Sequence, residues 1–155
     1  MKQFLPYLFI LLAVVSWGAY VPTIHHGQLG FGEPKGPLRA FLFVGLAYFL
    51  VAVLIPGLLI LSKAEPAVFP MKGVSMSTFA GVLGALGALG VIFALRTGGK
   101  PIYVAPLVFA GAPIMNVLVT MIWDKPAKAP SMPFYVGILL AAVGAAMVLR
   151  FKPVS

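Results

Sequence analysis

IYVAPLVFAGAPIMNVLVTMIW, residues 102–123, is a run of 22 residues without a single charge. An α-helix rises 1.5 Å per residue, so this run extends about 33 Å, enough to cross the roughly 30 Å hydrocarbon core of a bilayer. Four further runs of the same kind occupy residues 4–24, 40–61, 77–95 and 133–149, with lengths of 21, 22, 19 and 17. None has the period-two alternation of a membrane barrel strand, and in lipid every peptide group must find its partner within its own segment. The sequence therefore predicts an all-α polytopic membrane protein with five transmembrane helices in a single integral domain, residues 1–155.

Composition points the same way. Charged residues are 9% of the chain against a usual value of about 25%, hydrophobic residues are 61%, and the 17 Gly and 14 Pro are of the kind tolerated in membrane helices. With no Cys there is neither a disulfide framework nor a thiolate site. The net charge of +8 does not mark a nucleic-acid binder, because all eleven basic residues lie in connectors, at span ends or at termini, beside lipid headgroups. The first run is longer than a signal-peptide core, and Trp17 and Tyr20 stand where small residues would precede a cleavage site, so it reads as a retained helix.

Five spans place the two termini on opposite faces of the membrane. One face then carries Lys2, Lys63, Lys72, Lys125 and Lys128, and the other Lys35, Arg39, Arg96, Lys100, Arg150 and Lys152. Five against six gives the positive-inside rule nothing to act on. Either another signal fixes the orientation or the chain inserts both ways up and forms an antiparallel homodimer. Small residues recur at four-residue spacing as Ala80, Gly84 and Ala88, as Gly81 and Ala85, and as Gly137, Ala141 and Ala145. Such faces let helices approach closely, within one subunit or between two.

Proline interrupts the apolar runs at Pro22, Pro56, Pro106 and Pro113, each removing a backbone donor. In transporters, interrupted helices line substrate cavities, and elsewhere they are plain kinks. Residues 102–123, with Pro106 and Pro113 as hinge candidates around Gly111, are the first choice for a cavity wall.

Catalytic groups are scarce. There is no H-E-x-x-H and no G-x-S-x-G, and the two histidines, His25 and His26, are adjacent, so on a helix they diverge by about 100° and do not share a metal. No enzyme activity, metal or cofactor is expected. The only acids, Glu33, Glu65 and Asp124, lie in connectors or at a span end, which argues against a cation exchanger with a carboxylate at membrane depth. His25 and His26 are the groups available for proton coupling, unless they are ordinary loop residues. Polar and aromatic side chains within the spans give the binding candidates: Ser16, Trp17, Tyr20, Tyr48 and Asn116. Trp17 and Tyr20, three apart, share a helix face. Asn116, the amide deep in a span, either bonds a neighbouring helix or faces solute, while Tyr103 and Trp123 read as interfacial belt residues.

Trp17-Gly18, the Ala94-Leu95-Arg96 ending, the Thr97-Gly98-Gly99-Lys100 turn, Pro106, Pro113, Gly137, Gly144 and the Leu149-Arg150 ending together resemble one repeat of the EamA-like drug/metabolite transporter superfamily. Members usually carry ten helices in two inverted five-helix repeats and move small metabolites. The resemblance covers nearly the whole length and implies a half-size transporter in a bacterial inner membrane, completed by an upside-down copy of itself or by a paralogous second half. Two features depart from the pattern: Asp124 stands where a Glu is common, and the connector at 25–39, with His25, His26, Gly27 and Gln28, is long. The solute would be neutral or anionic, since buried acids are absent.

The even charge split has a direct consequence. With accessibility tags at both termini, dual insertion places each tag on both sides of the membrane in about equal amounts; a single side for each tag rules out the antiparallel homodimer.

Overall fold

The computed structural model describes residues 4–123 and 128–153; Lys2, Asp124 and Lys125 lie outside the described residues. The elements, in chain order, are α1 (Leu5–Gly30), α2 (Pro37–Phe49), a π-helical segment (Leu50–Leu54), α3 (Ile55–Leu61), α4 (Met71–Arg96), α5 (Pro101–Trp123) and α6 (Met132–Arg150). Because α2, the π segment and α3 run on as one rod, Pro37–Leu61, the chain has five helices long and apolar enough to cross a membrane. It is an integral membrane protein. No strand occurs among the described residues.

The helices overrun the apolar runs at their ends, by six residues at the end of α1 and six at the start of α4. Residues 25–30 belong to α1, so His25, His26 and Gln28 are helical and the connector shrinks to residues 31–36. Twenty-six residues extend about 39 Å, so the last turns of α1 pass beyond the hydrocarbon into the polar layer, where His and Gln are at no disadvantage. Likewise α4 begins at Met71 rather than residue 77 and takes Lys72 into its first turn. Three starts fall at proline or one residue before it, at Pro37, Pro101 and Met132-Pro133, where the missing N–H is one the helix would leave unpaired anyway.

Pro56 acts through the π segment. Its ring would collide with the carbonyl of Ala52, four residues back, and a wider turn over Leu50–Leu54 moves that carbonyl aside. Pro22, Pro106 and Pro113, by contrast, sit inside helices that continue through them.

Two compact units make up the chain. The first contains residues 1–21 and 99–155, thus the early part of α1 with α5 and α6. Here α5 and α6 pack along each other. Half-buried residues recur at Leu107, Ala110, Ile114, Val117 and Met121 on α5, and at Ile138, Ala141, Ala145 and Val148 on α6. That spacing of three and four is the seam of an antiparallel helix pair, and Ala141 and Ala145 of the small-residue series are spent within the unit. The second unit, residues 22–98, joins the end of α1 to α2, α3 and α4. Its core gathers Ile24, Gln28, Ala40, Ala88, Val91, Ile92 and Leu95.

The end of α3 is closed by a Schellman arrangement: Ala64 N–H donates to the Leu59 carbonyl at 3.0 Å and Lys63 N–H to the Ile60 carbonyl at 2.9 Å. Lys63 takes the left-handed position, φ +64°, that usually belongs to glycine. Lys63→Gly therefore raises stability by about 1 kcal/mol, read as a higher unfolding midpoint in detergent, and Lys63→Ala gives no such gain.

Candidate functional site

Within the first unit, three aromatic rings form a chain. Trp17 meets Tyr20, one turn on along α1, edge-to-face at 5.6 Å and 64°. The same indole meets Phe109 of α5 at 6.3 Å and 74°. Edge-to-face contact sets the electropositive rim of one ring against the electron-rich face of the next, and such pairs contribute about 1 kcal/mol each beyond the area they cover. The indole is still 42% exposed, which leaves an aromatic surface open beside the contact.

Backbone chemistry adds acceptors at the same place. Pro113 cannot supply the N–H that the Phe109 carbonyl would accept four residues on, and Pro22 stands in that relation to the Gly18 carbonyl, next to Trp17. Gly18, beside Trp17, and Phe109 thus each present a carbonyl without its ordinary helical donor. Further along α5, Asn116 follows Phe109 by seven residues, about 10 Å of rise and 20° of rotation, so the two share a face with Pro113 between them. Asn116 is exposed and Ser16 on α1 is also exposed.

The remaining candidates belong to the second unit. Tyr48 lies exposed on α2. His25 and His26 have ring centroids 6.0 Å apart at 66°, with His25 half-buried and His26 exposed. No group of three or more metal-ligating side chains occurs among the described residues.

The residue that the sequence placed in a connector, Gln28, is the buried amide of the second unit. Its side chain is 1% exposed and donates from Nε2 to the Ile92 carbonyl of α4 at 3.3 Å. The main-chain carbonyl of Gln28 accepts the Gly36 N–H at 3.2 Å, so one residue ties α1 both to α4 and to the corner leading into α2. At that corner Arg39 donates from Nη2 to the Pro34 carbonyl at 2.8 Å and from Nη1 to the Phe31 carbonyl at 3.4 Å. The guanidinium also lies 4.9 Å over the Phe31 ring, which stacks on Phe43 at 6.0 Å. A side chain at Gly36 could not be housed, since its Cβ would fall 2.7 Å from the Phe31 Cβ and 2.8 Å from the Arg39 Nε.

No protein-family model, no curated protein and no solved structure matches this chain.

Gln28 gives a test of the second unit's assembly. Gln28→Met keeps the length and loses the hydrogen bond, costing about 1 kcal/mol, whereas Gln28→Ala also opens a cavity and costs about 2–3 kcal/mol, both read from unfolding in detergent.

Proposed function

We propose that this chain is one half of a membrane transporter of the drug/metabolite type, carrying a small neutral or anionic organic solute and working as a dimer by alternating access. The observation that carries the proposal is the open aromatic contact Trp17–Tyr20–Phe109 beside two proline-freed carbonyls. Aromatic faces hold the apolar body of a solute, and carbonyls with spare lone pairs accept its hydroxyl or amide hydrogens. Asn116, further along the same face of α5, adds both a donor and an acceptor. Ring faces and carbonyls both repel negative charge, so of the two solute classes the neutral one fits this surface better. Pro106 and Pro113 are the positions at which α5 would bend between states, and His25 and His26 are the groups at hand for proton coupling.

An odd number of spans supports the dimer. Two five-span units related by inversion build the pseudo-symmetry through which transporters alternate, and a chain with one unit needs an upside-down second copy or a paralogue to supply the other half. The half-size resemblance to the EamA-like repeat belongs to this reading, as does a location in a bacterial inner membrane.

A second reading keeps the chain as a non-transporting membrane subunit or assembly factor. What favours it is α4, whose small residues Ala80, Gly81, Gly84 and Ala85 are all exposed while burial begins only at Ala88. That smooth face is of the kind a partner helix covers.

Liposomes holding the purified protein and offered a mixed metabolite pool decide between them. Transport predicts uptake of a neutral solute, lowered roughly five- to thirtyfold by Trp17→Ala or Asn116→Ala, the loss of one contact of about 1–2 kcal/mol. Uptake untouched by Asn116→Ala makes that amide structural, and no uptake of any solute favours the subunit.

A further inference from the structure

The corner between α1 and α2 holds a charged group with more donors than the protein uses. A guanidinium carries five N–H groups in one plane, and at Arg39 two of them bond the Phe31 and Pro34 carbonyls. The side chain is exposed, and no ion pair joins it to Glu33, the acid of the same turn, among the described residues. Lys35, also exposed, lies in that turn, and Arg96 ends α4 one turn beyond Ile92, the residue that Gln28 ties to this end of the unit. Three cations and one carboxylate thus lie at this end of the unit, with the guanidinium held in place by two carbonyls rather than free to swing.

Its depth is equally specific. Arg39 is the third residue of a span whose 25 residues extend about 38 Å, which sets it at the boundary between hydrocarbon and headgroups. Below it on α2, Leu42, Phe43 and Leu46 fall within about 60° of the same face, and all three are exposed. A fixed guanidinium above a bare apolar stripe matches a molecule with a phosphate at one end and a hydrocarbon chain at the other. We propose that the Phe31–Phe43 corner is a binding site for an anionic phospholipid, with the phosphate on Arg39 and Lys35 and an acyl chain along Leu42 and Leu46. Planar fork geometry is what bidentate phosphate recognition needs, and it separates this site from the diffuse attraction any surface lysine exerts. The site is independent of the transport reading.

The test uses the full chain purified in detergent, stripped of lipid and exposed to mixed micelles of phosphatidylglycerol and phosphatidylcholine, with bound lipid counted by native mass spectrometry. Phosphatidylglycerol should be retained over phosphatidylcholine by roughly fivefold for each basic side chain engaged. Arg39→Gln should lower that preference about fivefold, leaving the share that Lys35 supplies. Lys35→Gln, which removes a side chain with no bond to the corner, should lower retention several-fold while leaving the unfolding midpoint in lipid-free detergent unchanged. Equal retention of the two lipids, undiminished phosphatidylglycerol binding in both variants, or its displacement by millimolar inorganic phosphate overturns the proposal, the last by making free phosphate the ligand.

Discussion

Hydrocarbon offers a peptide group nothing to bond to, and each N–H or C=O left alone there costs several kcal/mol. Everything regular in this chain follows from that. The five spans are helices because only helices close their own bonds, and, apart from the carbonyls that Pro22 and Pro113 leave without a helical donor, the departures from regularity are taken up locally. Pro56 is absorbed by a π turn that moves the Ala52 carbonyl out of its way, and the last carbonyls of α3 are closed by Lys63 and Ala64. The corner at 31–36 turns its carbonyls of Phe31 and Pro34 towards Arg39. A guanidinium at this corner is thus a structural part before it is anything else.

Gln28 shows how one polar group can organise a largely apolar unit. Helix association in lipid lacks a hydrophobic driving force, so packing of small residues and interhelical hydrogen bonds must hold the helices together. In the second unit the small residues are Ala40 and Ala88, and the hydrogen bond is that of Gln28 to Ile92. The carbonyl of Ile92 already serves its own helix and uses its second lone pair for the glutamine, so the bond breaks nothing in α4. Since the Gln28 carbonyl also accepts from Gly36, the same residue sets where the chain turns, and Gly36 must lack a side chain for the turn to close.

The spans were legible because length and absence of charge are properties of consecutive residues. Trp17 and Tyr20 were legible too, since neighbours three apart on a helix face the same way. Their contact with Phe109 was not, because it joins residues ninety-two positions apart and Phe109 looks in sequence like any other residue of its run. Gln28 was misplaced for a sharper reason. A polar residue after two histidines and a glycine reads as connector, yet α1 continues through it, and only the approach of α4 sixty-four positions later turns it from a surface residue into a buried one. The available signal was its spacing: Val21, Ile24 and Gln28 repeat at three and four, one helical face carried past the apolar run.

The same spacing logic bears on how the two ends of the chemistry are divided. All fixed charge among the described residues lies at helix ends and corners, while the aromatic contact of the first unit is made of uncharged groups, the rings of Trp17, Tyr20 and Phe109. In a low-dielectric setting a charged solute at Trp17 would lose its hydration and gain no counter-ion, whereas a neutral one with hydroxyl or amide hydrogens loses little and finds acceptors at Gly18 and Phe109. On the two proposals, charge handling and solute contact fall on different residues: lipid phosphate suits the arginine corner, and uncharged donors suit the aromatic face. On the transport reading, a charged residue introduced at Ser16 or Asn116 would change the kind of solute accepted rather than tune its affinity, because it would supply the one ingredient that surface lacks.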